Sequence, residues 1–424
     1  MKLITFLGTG AYSETEYVLN EQHCVTCYAP AATATFLKPD EVIVFATTEA
    51  EAVHGVSLKS LLNIPTRFVT IPLGQDTHEL WHIFDIVTQS VPQGEDVVFD
   101  VTHGLRSFPM IGLLVAAFLR AARRIGIKAV LYGAYDVRDQ TVIPNRTPVF
   151  DLSPMLTLLE WAIGADRFNS TGDARYLASL IERQRKGLAL EAEGNAERLA
   201  QIGDLANLAN ALTSISQSLR LIRPMRAMQQ VAGLSERVQR ARPVLTQVAP
   251  AQPFALVLDG VAQAYSPLAS PPADQPGSLG RSLDVERTMI HWCVDRELWV
   301  QAIAIAREWL VSWVMYQLGM TNLTQLNARQ RVENVLGAEA NSWLEAQKKK
   351  QPFAPLFLST LPQAELVLSL WNPLTQTRND ALHAGKRDDP GKPEDLIAQI
   401  KKHLDVLDQL PVLRGSEDSI SVSA

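Results

Sequence analysis

An arginine, an asparagine and a histidine fall within six residues near the end of the chain, Arg378-Asn379-Asp380-Ala381-Leu382-His383. Histidine titrates close to neutrality and moves protons. A guanidinium holds phosphate oxygens with a planar fork of donors and stabilises charge that builds on them. Pro373 upstream and Gly385 downstream predict one short helix between them. At about 100° per residue, Asn379 and His383 share a face of that helix, and Arg378 lies about 140° from His383, within reach of its long stem. The set suits phosphodiester chemistry. It also suits a plain helix end, where a cation and an imidazole complement the dipole.

A second set lies near the start. Lys2 to Leu7 is an apolar run ending in Gly8-Thr9-Gly10, and a later strand-like run leads into Asp100-Val101-Thr102-His103-Gly104, followed by Arg106. Glycines beside hydroxyls let backbone N–H groups approach a phosphate or ribose, and Arg106 adds a cation. Each loop also reads as an ordinary strand-to-helix turn. Gly8-x-Gly10 lacks the third glycine of a dinucleotide fingerprint, with Ser13 in its place, which argues against a dehydrogenase. His78-Glu79-Leu80-Trp81-His82 has metalloprotease spacing, but Leu80, Ile83, Phe84 and Val87 form a packing stripe that leaves the histidines on the other side. Cys24-Val25-Thr26-Cys27 has no matching second pair and reads as two core or edge thiols. No metal site is expected.

The elements that must position these residues differ between the two ends. Strand-like runs at 24–28, 42–45, 67–71, 96–99 and 127–132 alternate with helical patterns at 49–62, 76–91 and 108–124, which implies a mostly parallel sheet wrapped on both faces. Ligands of such sheets sit beyond the carboxyl ends of the strands, where both glycine loops fall. From Leu152 to Arg242 the pattern turns helical, as in Tyr176 to Leu190 and Ala196 to Leu212. Proline, serine and glycine gather from Pro243 to Leu283, predicting a loop or linker. One long amphipathic helix is expected over Asp284 to Met315, with further helices at 326–336, 364–371, around the Arg–His set and at 393–410. The tail from Gly415 to Ala424 reads as disordered.

At 424 residues the chain needs two or three domains. A 47% apolar and 20% charged composition is that of a soluble globular protein, and a net charge of -6 argues against coating nucleic acid by bulk charge. Three cysteines cannot form a disulfide framework, and the longest apolar run, Met110 to Leu119, is too short for a membrane span. A cytoplasmic location is expected, with no membrane partner.

Asp100-Val101-Thr102-His103-Gly104, with the entry Ile4-Thr5-Phe6-Leu7 into Gly8-Thr9-Gly10, resembles the CRISPR-associated DxTHG-motif proteins. Arg378-Asn379 followed by His383 is similar to the arginine–histidine motif of HEPN ribonucleases. Together they resemble the CARF–HEPN effectors of type III CRISPR defence over nearly the whole chain. The resemblance implies an α/β plus all-α fold: a Rossmann-like CARF sensor at 1–155, a helical connector at 156–280, a HEPN domain at 281–414 and a disordered tail at 415–424. It implies a homodimer, or a higher oligomer, that binds cyclic oligoadenylate, tetra-adenylate more commonly than hexa-adenylate. Gly8, Thr9, Gly10, Thr102, His103, Gly104 and Arg106 would line that pocket. Two Arg–His helices would meet in one composite site for single-stranded RNA, with His383 as general acid or base, Arg378 on the phosphorane and Asn379 positioning. No catalytic cofactor is needed, products carry a 2',3'-cyclic phosphate, and DNA is spared for want of the attacking hydroxyl. His103 has a competing role as a support for its loop. Two other readings stay open: a regulatory binding protein whose helical half only dimerises, and a sensor that cleaves its own ligand through Thr102 or His103.

Overall fold

The computed structural model describes residues 1–104, 107–192, 194–246, 252–271, 277–361, 363–383, 386 and 391–413. The chain divides into two compact units, Met1–Glu160 and Trp161–Ala424.

The first unit runs β1 (Lys2–Leu7), β2 (Thr15–Leu19), β3 (Gln22–Thr26), α1 (Ala29–Leu37), β4 (Glu41–Ala46), α2 (Thr48–Leu61), β5 (Thr66–Thr70), α3 (Thr77–Ser90), β6 (Asp96–Asp100), α4 (Ser107–Ala122), β7 (Gly126–Gly133) and β8 (Arg146–Asp151). The strands form one sheet in the order β3-β2-β8-β7-β6-β1-β4-β5. From β5 to β7 every pairing is parallel. Their apolar runs are buried on both faces, as parallel sheets require. Ile4, Phe6, Ile43, Phe45, Val97 and Phe99 pack with Ile83 and Val87 of α3 and Val115 of α4. The alternate residues Leu3, Leu7, Val42, Val44 and Val98 pack with Ala31 of α1 and Leu58 of α2. Each such aromatic or branched side chain contributes about 1.5 to 3 kcal/mol by leaving water.

The expected α/β wrap is present, with a mixed edge added. β8 pairs antiparallel with β7, β2 runs parallel to β8, and β3 closes the edge antiparallel to β2. Neither β2 nor β8 was expected. β8 carries Pro148 in its interior, and proline normally demotes a run from strand to loop. Here the Pro148 carbonyl accepts from the Ala134 N–H at 2.9 Å.

The division between units falls inside α5 (Ser153–Thr171). The second unit continues with α6 (Arg175–Glu191), α7 (Ala196–Arg220), α8 (Pro224–Ala232), α9 (Leu234–Thr246), α10 (Gln252–Tyr265), α11 (Ser278–Val294), α12 (Trp299–Gln317), α13 (Leu326–Lys349), α14 (Ala364–Leu382) and α15 (Pro393–Leu407). One apolar cluster extends from Trp161 to Leu413. The cluster takes residues from both sides of position 280, among them Leu258 and Val261 before it and Leu283 and Ile290 after it.

Three helix boundaries depart from expectation. The predicted helix over Asp284 to Met315 is two helices, broken where Glu297 adopts φ 56° and the Leu298 N–H reaches back to Cys293 O at 2.8 Å. That is a Schellman-type stop without the glycine that normally announces it. The predicted linker from Pro243 holds a helix, α10, whose Phe254, Leu258 and Val261 join the core. Finally, α14 does not begin at Pro373: it starts at Ala364 and passes through Pro373. An interior proline costs a helix about 3 kcal/mol. Its ring faces solvent, while Val367, Leu370, Trp371 and Leu374 are buried on the other side and offset that cost. Gly385, the expected stop, and the tail from Gly415 lie outside the described residues.

Among the described residues no helix is long and apolar enough to cross a membrane.

Candidate functional site

Each unit presents its own candidate site. In the first, β1 is flanked by β4 on one side and β6 on the other, so the strand order reverses at β1 and β6 and a crevice opens beyond their carboxyl ends. Both glycine loops end there. A Cβ on Gly8 would lie 3.2 Å from the Gly104 Cα, so the loops touch backbone to backbone. Gly104 has φ 107°, and a Cβ there would meet Phe108 Cδ2 at 2.5 Å. Only glycine fits that position.

Tyr12 knits the crevice together. Its hydroxyl accepts from the Gly8 N–H at 2.9 Å and donates to the Gly8 carbonyl at 3.0 Å. Its ring lies against His103, centroids 3.9 Å apart, and against His54 at 4.5 Å. His103 Nε2 accepts the Ala29 N–H at the start of α1, 3.0 Å away, so its proton sits on Nδ1. Burial, assisted by the nearby His54, pushes this imidazole down to about 3. His103 is thus a neutral cap on α1, the supporting role that the sequence left open. His54 donates from Nε2 to the Gly10 carbonyl at 2.9 Å and takes the Tyr28 hydroxyl on Nδ1 at 3.0 Å.

Asp100 is fully buried, and burial raises its carboxyl to about 6 against the pull of Thr102 and Thr5. It accepts the Thr102 N–H at 3.0 Å, and Thr102 Oγ1 accepts the Gly133 N–H at 2.8 Å. Aspartate and threonine therefore hook the loop to β7. Beside it lies a cleft of 230 Å³ lined by Thr102, His103, Tyr12, Tyr17, Tyr132 and Tyr135, among others. Gly8, Thr9, Gly10 and Gly104 are not part of that lining; Thr9 and Gly10 are exposed. Arg106 lies outside the described residues. The tyrosines were missed because they fall in two distant stretches, 12–17 and 132–135, that meet only in the fold. Hydroxyls and aromatic faces of this kind suit a nucleoside, by stacking and hydrogen bonding.

The decoys resolve locally. Asp76 Oδ1 accepts the Glu79 N–H, and the Glu79 carboxylate accepts from Gly74 and Gln75 N–H groups at 2.8 and 2.9 Å, so this glutamate belongs to the start of α3. Among the described residues no three His, Cys, Asp or Glu side chains are grouped to hold a metal. Cys24 and Cys27 are free thiols.

In the second unit, α12 anchors α14. Arg307 of α12 pairs with Glu333 of α13 at 2.8 Å and lies over the Trp371 ring of α14 at 4.9 Å. Burial works against the Arg307 cation, but its hydrogen bonds to Glu333 and the charges of Glu308 and Glu333 prevail and raise it. On the other side Thr377 of α14 meets His403 Nε2 of α15 at 2.9 Å. Held at both flanks, α14 presents its last turn outward. Arg378 is half-buried and donates from Nη1 to Asn379 Oδ1 at 3.0 Å. His383 terminates the helix, its N–H bonded to the Asn379 carbonyl at 2.9 Å. The imidazole is exposed and has no partner among the described residues. Arg378, Asn379 and His383 thus share the closing turn of α14.

Residues 157–268 match a family model described as the second domain of the CRISPR-associated protein MJ1674. Over 158 residues the chain is 28% identical to the CRISPR-associated protein MJ1674 of Methanocaldococcus jannaschii. That alignment covers 37% of this chain and 23% of the relative, so the chain spans less than a quarter of the relative's length.

Proposed function

We propose that this protein is a cyclic oligoadenylate-activated, metal-independent endoribonuclease of CRISPR antiviral defence, acting on single-stranded RNA. The observation that carries the proposal is the closing turn of α14: an exposed His383, without a side-chain partner among the described residues, beside Arg378 and Asn379, on a helix anchored at both flanks. The likeness to a CRISPR-associated protein supports the setting.

In the proposed reaction a ribose 2'-hydroxyl attacks its own 3'-phosphate. His383 exchanges the proton, Arg378 stabilises charge on the phosphorane, and Asn379 orients Arg378 through the bond already present. The products are a 2',3'-cyclic phosphate and a 5'-hydroxyl. One cation and one imidazole are few for such a site, and a second copy of the chain would double them. Self-association draws support from exposed apolar side chains on the sensor unit: Met110, Leu114 and Phe118 stand along one face of α4, with Trp81 of α3 also exposed. A 230 Å³ cleft is also too small for a whole cyclic oligonucleotide, which fits a ring shared between two protomers.

The test is cleavage of a labelled RNA with and without cyclic tetra-adenylate. Cleavage only with the activator is expected; equal cleavage in both arms removes the activation half of the proposal. His383→Ala abolishes cleavage while ligand binding to the first unit survives; an active variant means the wrong histidine. A ligand-cleaving sensor draws no support from Thr102 or His103, since both side chains are already engaged in the fold.

A further inference from the structure

A second polar cleft, of 480 Å³, opens among α7, α8 and α9, away from α14 in sequence and composed of different chemistry. Arg226 of α8 and Arg237 and Arg240 of α9 line it, opposite Asn207 and Asn210 of α7. The opposite face of α7 is core: Leu205, Leu208, Leu212 and Ile215 are buried. The remaining face of α7 is polar, and its exposed Asn207 and Asn210 stand along the cleft. Arg237 is half-buried, donating to the Gln230 carbonyl at 3.1 Å. A Cβ at Gly233 would lie 2.8 Å from its Nη1, so the glycine leaves room for the guanidinium. Arg240 pairs with Glu236. Arg226 is exposed and has no partner among the described residues, and neither asparagine amide has one.

With Arg240 offset by Glu236, the lining still sets Arg226 and Arg237 against a single carboxylate, Asp204, in a chain whose net charge is -6. A local positive excess on an acidic protein is a site for an anion rather than a general property of the surface. Guanidinium forks match phosphate oxygens, and side-chain amides offer the paired donor and acceptor that a base edge needs. No aromatic ring lines the cleft, so recognition rests on charge and hydrogen bonds, not stacking. We infer that this cleft is a phosphate site for nucleotides, with Arg226 and Arg237 on the phosphate and Asn207 and Asn210 on the base or ribose. The ligand is either a free nucleotide or a stretch of single-stranded RNA, and the shared chemistry is the phosphate.

The experiment is fluorescence anisotropy with a labelled eight-nucleotide single-stranded RNA, on the full chain carrying His383→Ala so that cleavage is not a readout. Arg226→Glu is expected to weaken binding on the order of tenfold, and Arg226→Gln less, with the salt dependence falling by about one phosphate contact. Lys349→Glu, the same charge change on an exposed residue at the end of α13, leaves binding unchanged. Competition separates the sources: AMP competing at its own comparable affinity marks a free-nucleotide site, whereas AMP and inorganic phosphate competing only at high concentration mark a strand site. Arg226→Glu binding as tightly as Lys349→Glu overturns the inference, as does binding of none of RNA, AMP and phosphate. Loss of RNA cleavage by the native chain leaves this result standing, since only binding is read.

Discussion

Replacing His103 separates support from ligand contact. Its Nε2 accepts the Ala29 N–H, its ring packs on Tyr12, and it is 8% exposed. In His103→Ala the Ala29 N–H is left buried without an acceptor, at about 1 to 3 kcal/mol, and the ring pair is lost, at about 0.5 to 1.5 kcal/mol. A combined loss of about 2 to 4 kcal/mol in the first unit is expected. The same contacts predict acid sensitivity. The folded imidazole stays neutral down to about 3, whereas the unfolded one protonates near 6.5. The folded value is depressed, so the stabilisation is complete above about pH 6.5 and falls away as pH drops toward 3, by up to about 5 kcal/mol. Asp100 acts in the opposite sense over part of this range, since its carboxyl is raised to about 6 and the fold gains as that group protonates. The comparison that isolates His103 is therefore with His103→Gln, whose amide oxygen can still accept from Ala29 and does not titrate. Hydrogen exchange of α1 amides on the full chain, corrected for intrinsic rates, reads it. Between pH 7 and 5 protection in the wild type should fall relative to His103→Gln by on the order of thirtyfold. Identical pH trends in the two proteins, or full protection of α1 in His103→Ala, refute the reasoning.

Burial raises the Glu286 carboxyl to about 7, where a 520 Å³ cleft holds it with no hydrogen-bond partner among the described residues. Its folded value lies above the unfolded one, so stability is lost as pH rises from about 4.5 to 7; Glu286→Gln should gain about 2 to 3 kcal/mol at pH 8 and nothing at pH 4, read by thermal unfolding. Gly104→Ala must place a Cβ 2.5 Å from Phe108 at φ 107°, an expected loss of about 1 to 3 kcal/mol read by calorimetric unfolding, and on the proposed function it should also weaken cyclic oligoadenylate binding. Arg378→Ala should cut RNA cleavage by about a hundredfold or more, and Arg378→Lys should not restore it because the planar fork is gone; wild-type rates in either variant would remove Arg378 from the mechanism.

The apolar runs at 2–7, 42–45 and 96–99 were enough to place a two-faced parallel sheet, because strands buried on both sides admit few other residues. They were also enough to put both glycine loops at strand ends, and Gly8 and Gly104 do touch. Sequence likewise marked Arg378, Asn379 and His383 as one turn, since helical spacing is a local property. What lay beyond it depended on distant partners. α14 runs through Pro373 only because Val367, Leu370 and Leu374 find a core on its far side. α11 and α12 part at Glu297, a residue with no intrinsic turn signal. Tyr12 and Tyr17 meet Tyr132 and Tyr135 in one cleft only when two stretches more than a hundred residues apart are brought together by the sheet. His103 illustrates the division most plainly. Its place in the loop was legible from the residues beside it, but its work is set by an amide more than seventy positions away. Local spacing decides which side chains can act together within an element; the folded core decides which of them are left free to act.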